Sequence, residues 1–386
     1  MSFDCERDIG LTSDFQVLKS QFGVWAKIKR MPLQVTFELT PLCNLRCPMC
    51  YVRLDHCAMA QQGGKLHSAE EWLELGRQSA KLDTLFVTLT GGEPLLHPEF
   101  WEIYNGLTEM GMLVTILTNG CLIDEAVVEK LKANPPYNMK ISIYGASNET
   151  YEKMCGVKDG FTRVDHAIDL LSEAGINFFC TSTVVNDNLH DLEAMYAYAA
   201  EKKIRFFHST AVTLSARGAI SDPLHVRTEV VNQRWSLNAL ERERHQCDLR
   251  PFAYCGSYGT SYFMTWHWRM GFCGFAPQPY VQVKDPAELE TAWRALLEKT
   301  DSIKTPEECA TCEDAEFCQR CPGLLSSESG DPGKVSETFC SHARDMHRLY
   351  NELKARDMAE NPEKYADQAS DPRDGEESEE KGTNRS

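Results

Sequence analysis

The sequence has no apolar run that approaches the length of a membrane-spanning helix. Its first residues, MSFDCERD, also lack the basic and apolar regions of a signal peptide. We therefore expect a cytoplasmic protein with no membrane partner. The chain has 386 residues, of which 42% are hydrophobic and 25% are charged. This composition is typical of a globular protein, and the length predicts one large domain with a smaller one.

An excess of positive charge is missing too. The chain has 40 Lys and Arg against 57 Asp and Glu, which gives a net charge of -17. Such acidity disfavours nonspecific binding to nucleic acid, so no nucleic-acid partner is expected. It suits a small-molecule substrate or a partner with basic residues, and it favours solubility in either case. No residue pattern identifies a catalytic acid, base or nucleophile.

Cysteine, in contrast, is abundant, with 16 residues. A reducing compartment argues against a disulfide framework, so clustered cysteines favour metal binding. Cys43, Cys47 and Cys50 form a C-x3-C-x2-C run, and no second pair lies at the spacing of a zinc ribbon. Three thiolates on a four-iron cluster would leave one iron without a protein ligand, and a substrate or cofactor could bind there.

From residue 34 to about residue 210, short apolar runs alternate with amphipathic segments. The predicted strands are Val35–Thr40, Leu85–Thr90, Leu113–Thr118, Met139–Tyr144, Asn177–Val184 and Ile204–Ser209. The predicted helices between them are Ser68–Lys81, Pro98–Met110, Asp124–Lys132, Phe161–Ala174 and Asn188–Lys202. Repeated β-α units predict a parallel sheet, either an open doubly wound sheet or a partial barrel, with ligands at the carboxyl ends of the strands.

A turn of sequence Gly91-Gly92-Glu93-Pro94 closes the second predicted strand. Its glycines let the backbone approach a ligand, and Glu93 supplies an acceptor beside it. Together with the cysteine run one β-α unit earlier, this turn resembles the signature of radical S-adenosylmethionine (SAM) enzymes. The resemblance implies a partial (β/α)6 TIM barrel and a 4Fe-4S cluster on Cys43, Cys47 and Cys50. It also implies that SAM chelates the open iron through its amino and carboxylate groups, with the turn contacting the amino group.

The same resemblance extends less specifically to Ser142, which lies at the end of the fourth predicted strand, and to Asn186, which follows the fifth. It implies that both contact SAM, whereas strand-end capping and turn chemistry offer the alternative explanation. The chain departs from the family at Met49, where an aromatic residue is usual. It also has Tyr144 and Cys155-Gly156 where many members have an aspartate and an Arg-Gly pair. The contact to the SAM carboxylate is therefore not assigned.

The C-terminal half contains a second group of cysteines, which resembles the SPASM extension of radical SAM enzymes. That resemblance implies two auxiliary 4Fe-4S clusters. One would use Cys309, Cys312, Cys318 and Cys340. The other would use Cys255, Cys273 and Cys321, which is one ligand short. Either Cys247 completes that set, or the cluster keeps an open iron that could coordinate a substrate thiolate or carboxylate.

These observations predict five segments. An N-terminal extension (1–33) precedes the radical SAM partial barrel (34–210), and a bridging segment (211–250), with a helix over 227–245, leads to the SPASM domain (251–345). A helix end and an acidic disordered tail (346–386) complete the chain.

The resemblance implies an oxidoreductase that cleaves SAM to a 5′-deoxyadenosyl radical. That radical would modify a ribosomally made peptide or a protein side chain by a crosslink, a thioether or an epimerisation. We expect a flavodoxin or ferredoxin type of one-electron donor. The alternatives are a formylglycine-forming sulfatase maturase, a tetrapyrrole or small-molecule radical SAM enzyme, and a non-enzymatic electron-transfer protein.

Overall fold

The structure is a computed structural model that describes residues 13–62, 65–210, 212–214, 250–253, 255–318 and 320–365. The predicted bridging helix, Cys247 and the predicted acidic tail lie outside these residues. Within the described part of the chain, no helix has the length and hydrophobicity needed to cross a membrane. The chain divides into two compact units, and the smaller one includes Glu313–Cys318 and the residues from Cys340 onward.

The secondary structure follows the predicted alternation. The strands are β1 (Gln34–Glu38), β2 (Phe86–Thr90), β3 (Leu113–Thr118), β4 (Asn138–Ser142), β5 (Phe178–Thr183), β6 (Phe206–Ser209), β7 (Ser261–Met264), β8 (Arg269–Gly271) and β9 (Tyr280–Gln282). The described helices are α1 (Ser13–Lys29), α2 (His56–Gln61), α3 (Ala69–Lys81), α4 (Phe100–Glu109), α5 (Glu125–Ala133), α6 (Asn148–Cys155), α7 (Gly160–Glu173), α8 (Leu192–Glu201), α9 (Leu289–Asp301), α10 (Pro322–Ser329) and α11 (Glu337–Glu360).

One sheet organises the larger unit. Its strand order is β6-β5-β4-β3-β2-β1-β7-β8-β9. Strands β1 to β6 are parallel and pair in sequence order, β7 adds to β1 in parallel, and β8 and β9 are antiparallel. A doubly wound sheet would reverse its strand order within the series of β-α units, and β1 to β6 follow one another without such a reversal. The sequential order confirms the partial (β/α)6 barrel.

The outer face of the sheet holds the core. Residues that alternate along β1 to β5, such as Val35, Phe37 and Ile116, are almost fully buried against the helices. Trp72 of α3 packs on Phe37 with ring centroids 5.2 Å apart. Burying large apolar side chains of this kind stabilises the fold by roughly 1.5–3 kcal/mol each, so α3 is firmly held on β1.

The inner face of the same strands is only partly buried and mixes polar with apolar side chains. Thr36, Thr88 and Thr115 are partners in the register of β1, β2 and β3, so they form a row across the sheet. Nearer the carboxyl ends of the strands, Lys140 and Ser142 of β4 lie on the same face, both half-buried, and Leu117 of β3 is the register partner of Lys140. Polar groups therefore share this face with apolar side chains.

The predicted element boundaries agree with the structure to within a few residues. Ser68 is the N-cap of α3 and forms a capping box with Glu71, as its position before two acidic residues suggested. Helix α6 was missed, although Ser147 caps its N-terminus and Gly156, at φ 72°, ends it. Cys155 is the last residue of this helix.

The described part of the smaller unit joins a short segment to a long helix. Phe317 stacks on His347 of α11 with ring centroids 4.4 Å apart. His347 Nδ1 lies 2.8 Å from Asp314 Oδ1. The aromatic stack and the ion pair fix the turn before Cys318 on the helix.

Candidate active site

Three thiols converge in the loop after β1. The thiols of Cys43, Cys47 and Cys50 lie close enough to influence one another electrostatically. Burial raises the pKa of Cys43 above its ordinary range and that of Cys50 to about 11. The contact with Cys155, followed by burial, raises the pKa of Cys47. Without a cation these thiols are therefore protonated at neutral pH, and bound iron would be needed to hold them as thiolates.

Hydrogen-bond donors surround the sulfur atoms. Cys43 Sγ accepts from the Leu45 amide at 3.4 Å and from Asn119 Nδ2 at 3.7 Å. Cys50 accepts from the backbone amides of Val52 and Arg53. Such donors stabilise the charge that iron-bound thiolates carry, and they are a recognised determinant of iron–sulfur potentials. This donor set fits a cluster ligated by Cys43, Cys47 and Cys50.

The Gly91–Pro94 turn packs directly on the cysteine loop. Gly92 N donates to Thr40 O at 2.7 Å, and Glu93 N donates to Leu42 O at 2.8 Å. A Cβ on Gly91 would lie 2.5 Å from Thr40 O, and one on Gly92 would lie 2.3 Å from Leu42 O. Any side chain at either position would separate the two loops. The two glycines thus let the backbone of the turn lie directly against the backbone of the cysteine loop.

Glu93 is fully buried and has three protein donors. Its carboxylate accepts from Thr118 Oγ1 at 2.8 Å, from Asn119 N at 2.9 Å and from Leu95 N at 3.2 Å. Burial outweighs these hydrogen bonds and raises the pKa of Glu93 to about 7. The carboxylate joins the end of β3 to the turn after β2.

Asn119 extends this connection to the cysteines and was not among the predicted site residues. Its Nδ2 donates to Asn44 Oδ1 at 2.8 Å, as well as contacting Cys43. Asn119 therefore links Glu93, which its backbone amide contacts, to the cysteine loop, which its side chain contacts. Asn119 precedes Gly120, which has φ 77°. The sequence indicated a turn at the end of this strand, but it did not reveal that the Asn119 side chain contacts the cysteine loop.

Ser142 contacts the cysteine loop indirectly, through Tyr144. Its side chain hydrogen-bonds to the Tyr144 hydroxyl, which in turn contacts the Cys47 thiol. Asn186 is exposed in the turn after β5. Asn188 in the same turn is fully buried, and its Nδ2 donates to Tyr144 O at 3.0 Å. Asn188 thus joins the ends of β4 and β5, a role that its position in a polar turn did not reveal.

A second group of thiols converges in the same compact unit. Cys273 interacts electrostatically with Cys255 and Cys321, and burial raises its pKa to about 11. Its sulfur accepts from the amides of Phe275 and Ala276. Cys321 is the N-cap residue of α10, and the amides of Gly323 and Leu324 favour its thiolate electrostatically. The predicted set is thus brought together, with donors that suit thiolate ligands.

Gly323 makes room for two of these sulfurs. A Cβ there would lie 3.2 Å from Cys273 Sγ and 3.7 Å from Cys321 Sγ. Among the residues that the structure describes, no three His, Cys, Asp or Glu side chains are placed to hold a single metal ion. A cluster, in which each thiolate binds a different iron, does not need such close placement.

The remaining predicted ligands fall in both units. Cys309 and Cys312 belong to the larger unit, whereas Cys318 and Cys340 belong to the smaller one. Their assignment to one cluster stays a prediction. Cys121 and Cys180 are buried thiols, as expected of core residues, and burial raises the pKa of each to about 12.

The two cysteine groups are joined by an aromatic contact. Tyr51 directly follows Cys50, and Phe275 follows Cys273 by two residues. Their ring centroids lie 5.0 Å apart. The loop that carries the first group therefore touches the loop that carries the second.

Comparison with known proteins agrees with this geometry. Residues 37–199 match the family model of the Radical SAM superfamily. The chain is 31% identical over 191 residues to the AdoMet-dependent heme synthase of Methanosarcina barkeri, covering 50% of this chain and 54% of that protein. It is 28% identical over 164 residues to the PqqA peptide cyclase of Granulibacter bethesdensis, covering 42% and 43%. The chain thus spans about half the length of the curated relatives it matches.

A solved structure resembles the whole fold. The crystal structure of Streptococcus suis SuiB bound to precursor peptide SuiA has a TM-score of 0.58 and 18% sequence identity. The match covers 86% of this chain and 82% of that one. It supports the barrel and its C-terminal extension as one fold.

Proposed function

Because the chain belongs to the radical SAM superfamily, we propose that it reductively cleaves SAM and uses the radical to modify a side chain of a peptide or protein. The observation that carries this proposal is the juxtaposition of Cys43, Cys47 and Cys50 with the Gly91–Pro94 turn. When bound, a 4Fe-4S cluster and SAM together supply a 5′-deoxyadenosyl radical.

The residues of this chain would hold and orient these groups. Cys43, Cys47 and Cys50 would bind three irons, which leaves the fourth for the amino and carboxylate groups of SAM. The backbone of Gly91–Pro94, with Glu93 fixed by Thr118 and Asn119, would border the SAM amino group. Ser142 and Asn186 are proposed SAM contacts at the ends of β4 and β5. The partly buried inner face would receive the substrate.

The second cysteine group would hold an auxiliary cluster. Cys255, Cys273 and Cys321 would supply three ligands. The fourth iron would be bound either by Cys247 or by a thiolate or carboxylate of the substrate. Cys309, Cys312, Cys318 and Cys340 would hold another auxiliary cluster. The Tyr51–Phe275 contact supports a route by which an electron left on the product passes between the cysteine loops. An external flavodoxin or ferredoxin would supply the first electron.

A peptide is the substrate class that we favour. The relative from Granulibacter bethesdensis is named a peptide cyclase, and maturation of a ribosomally made peptide would place this chain in similar chemistry. The specific change would be a crosslink, a thioether or an epimerisation. The heme synthase relative supports a second candidate, a tetrapyrrole substrate. Formylglycine formation is the third.

Reductive cleavage is the first test. The reconstituted protein should release 5′-deoxyadenosine from SAM with dithionite under anaerobic conditions, and Cys43→Ala, Cys47→Ala and Cys50→Ala should not. Cys180→Ala is the matched control, because Cys180 is also a buried thiol but lies on the helix-covered face of β5. Release by the triple alanine variant at the rate of the control would refute the proposal.

The substrate class is tested by mass spectrometry. Incubation with the product of a short open reading frame beside the gene should give a peptide that has lost two hydrogen atoms if a crosslink forms. An aldehyde-specific reagent that labels the product would instead favour formylglycine. Turnover of a tetrapyrrole but not of the peptide would favour the second candidate.

A further inference from the structure

Cys155 lies against one of the proposed cluster ligands. Its Sγ is 3.7 Å from Cys47 Sγ, and its side chain is fully buried. The backbone of the same residue accepts from Arg46 N at 2.9 Å, so the cysteine loop is anchored to the end of α6. The contact between the two sulfurs is thus fixed from both sides.

Tyr144 approaches the same sulfur from the end of β4. Its hydroxyl donates to Cys47, and the Ser142 side chain hydrogen-bonds to the hydroxyl oxygen. With Ser142 as donor to that oxygen, the Tyr144 proton is directed at Cys47.

Cys47 therefore differs from its neighbours. Cys50 accepts from backbone amides, and Cys43 accepts from the Leu45 amide and from Asn119 Nδ2. Cys47 instead accepts from the Tyr144 hydroxyl and lies against a second thiol, that of Cys155, to which it donates in this structure. Once Cys47 binds iron as a thiolate it has no proton, so in its contact with Cys155 only the Cys155 S–H can donate. Hydrogen bonds to a ligating sulfur stabilise the more negative, reduced cluster and so raise its potential.

We propose that Cys155 and Tyr144 are positioning residues that raise the reduction potential of the cluster held by Cys47. The inference rests on the proposed function, since it requires a cluster at Cys43, Cys47 and Cys50. It goes beyond that function because neither residue ligates iron or touches SAM.

The test is a redox titration that is monitored by electron paramagnetic resonance. The signal measured is that of the reduced cluster whose spectrum changes when SAM is added. At a fixed potential, the ratio of reduced to oxidised cluster should fall about threefold in Cys155→Ala and in Tyr144→Phe, which is the effect of one modest hydrogen bond. Cys155→Ser keeps a donor and should restore most of the ratio. Cys180→Ala, a buried thiol of the helix-covered face, should match the wild type.

The outcomes are separable. A wild-type protein without a SAM-perturbed signal would overturn the proposed function and this inference with it. If the wild-type protein shows the SAM-perturbed signal but the midpoint potential of its cluster is unchanged in either Cys155→Ala or Tyr144→Phe, this inference alone would be overturned. Iron content measured for each variant identifies loss of the cluster, and if Cys155→Ala loses iron, Tyr144→Phe decides the outcome.

Discussion

At the scale of single residues, the site depends on positions where no side chain fits. Gly91 and Gly92 lie so close to the backbone of the cysteine loop that even a methyl group would displace it. The cysteine loop and the Gly91–Pro94 turn are thereby held in contact by hydrogen bonds between backbone groups.

Gly92→Ala should lower the free energy of unfolding by about 1–3 kcal/mol, the usual cost of forcing a group into a packed site. The new Cβ would meet Leu42 O at 2.3 Å. Gly23→Ala is the control, since a Cβ on Gly23 in α1 meets nothing within 4 Å. In a helix that change should be neutral or stabilising by about 0.5–1 kcal/mol. Urea unfolding compares the two, and equal effects would show that the close approach at Gly92 is not needed.

At the scale of elements, the turn after β2 is tied to the start of α3 by His97. This side chain is buried, its Nδ1 accepts from Glu99 N at 3.2 Å, and its Nε2 therefore carries the proton donated to His67 O at 3.0 Å. Burial lowers the pKa of His97 below its ordinary value of 6.5. Protonation of Nδ1 would place a second N–H against the Glu99 amide.

The contribution of His97 to stability should therefore fall as the pH falls. The pKa of His97 is lower in the folded state than in the unfolded state, so the unfolded state binds more protons as the pH drops through about 6.5. The raised pKa of Glu93 acts in the opposite sense over the same range, so the test compares variants. Between about pH 7.5 and about pH 5.5, the urea midpoint of the cluster-free wild-type protein should change less favourably than that of His97→Gln. His190→Gln, in which an exposed imidazole is removed, should keep the wild-type pH dependence. The same pH dependence in all three proteins would contradict the argument.

Sequence predicts elements better than it predicts their side-chain partners. The six parallel strands, the Ser68 cap and the two cysteine groups could be predicted because periodicity, capping and spacing are local properties of the chain. The sheet order, the partner of Asn119 and the contact of Cys155 with Cys47 could not, because each depends on residues far apart in sequence. Tyr144 and Cys155 were seen only as departures from the family, and their positions became meaningful once β4 and α6 were placed beside the cysteine loop.

At the scale of the whole molecule, the partial barrel brings one cysteine group to the carboxyl end of β1, while the β7–β8 hairpin and α10 form another. The Tyr51–Phe275 contact joins their loops within one compact unit. The proposed function would use this arrangement to generate a radical at one group and to accept an electron at the other.

Iron content tests this organisation. Anaerobic reconstitution should give about twelve irons per chain, and Cys255→Ala combined with Cys273→Ala should lower that to about eight without removing SAM cleavage. Cys121→Ala, which changes a buried core thiol, should leave the iron content unchanged. About four irons in the wild-type protein would rule out both auxiliary clusters.

The central claim is that SAM binds the iron that Cys43, Cys47 and Cys50 leave open. The most direct measurement is electron–nuclear double resonance of the reduced protein with SAM whose amino nitrogen is 15N. The account predicts a nitrogen coupling to the cluster that is lost in Cys43→Ala and kept in Cys180→Ala. A reduced cluster without any coupling to the labelled nitrogen, in protein that has bound SAM, would contradict it.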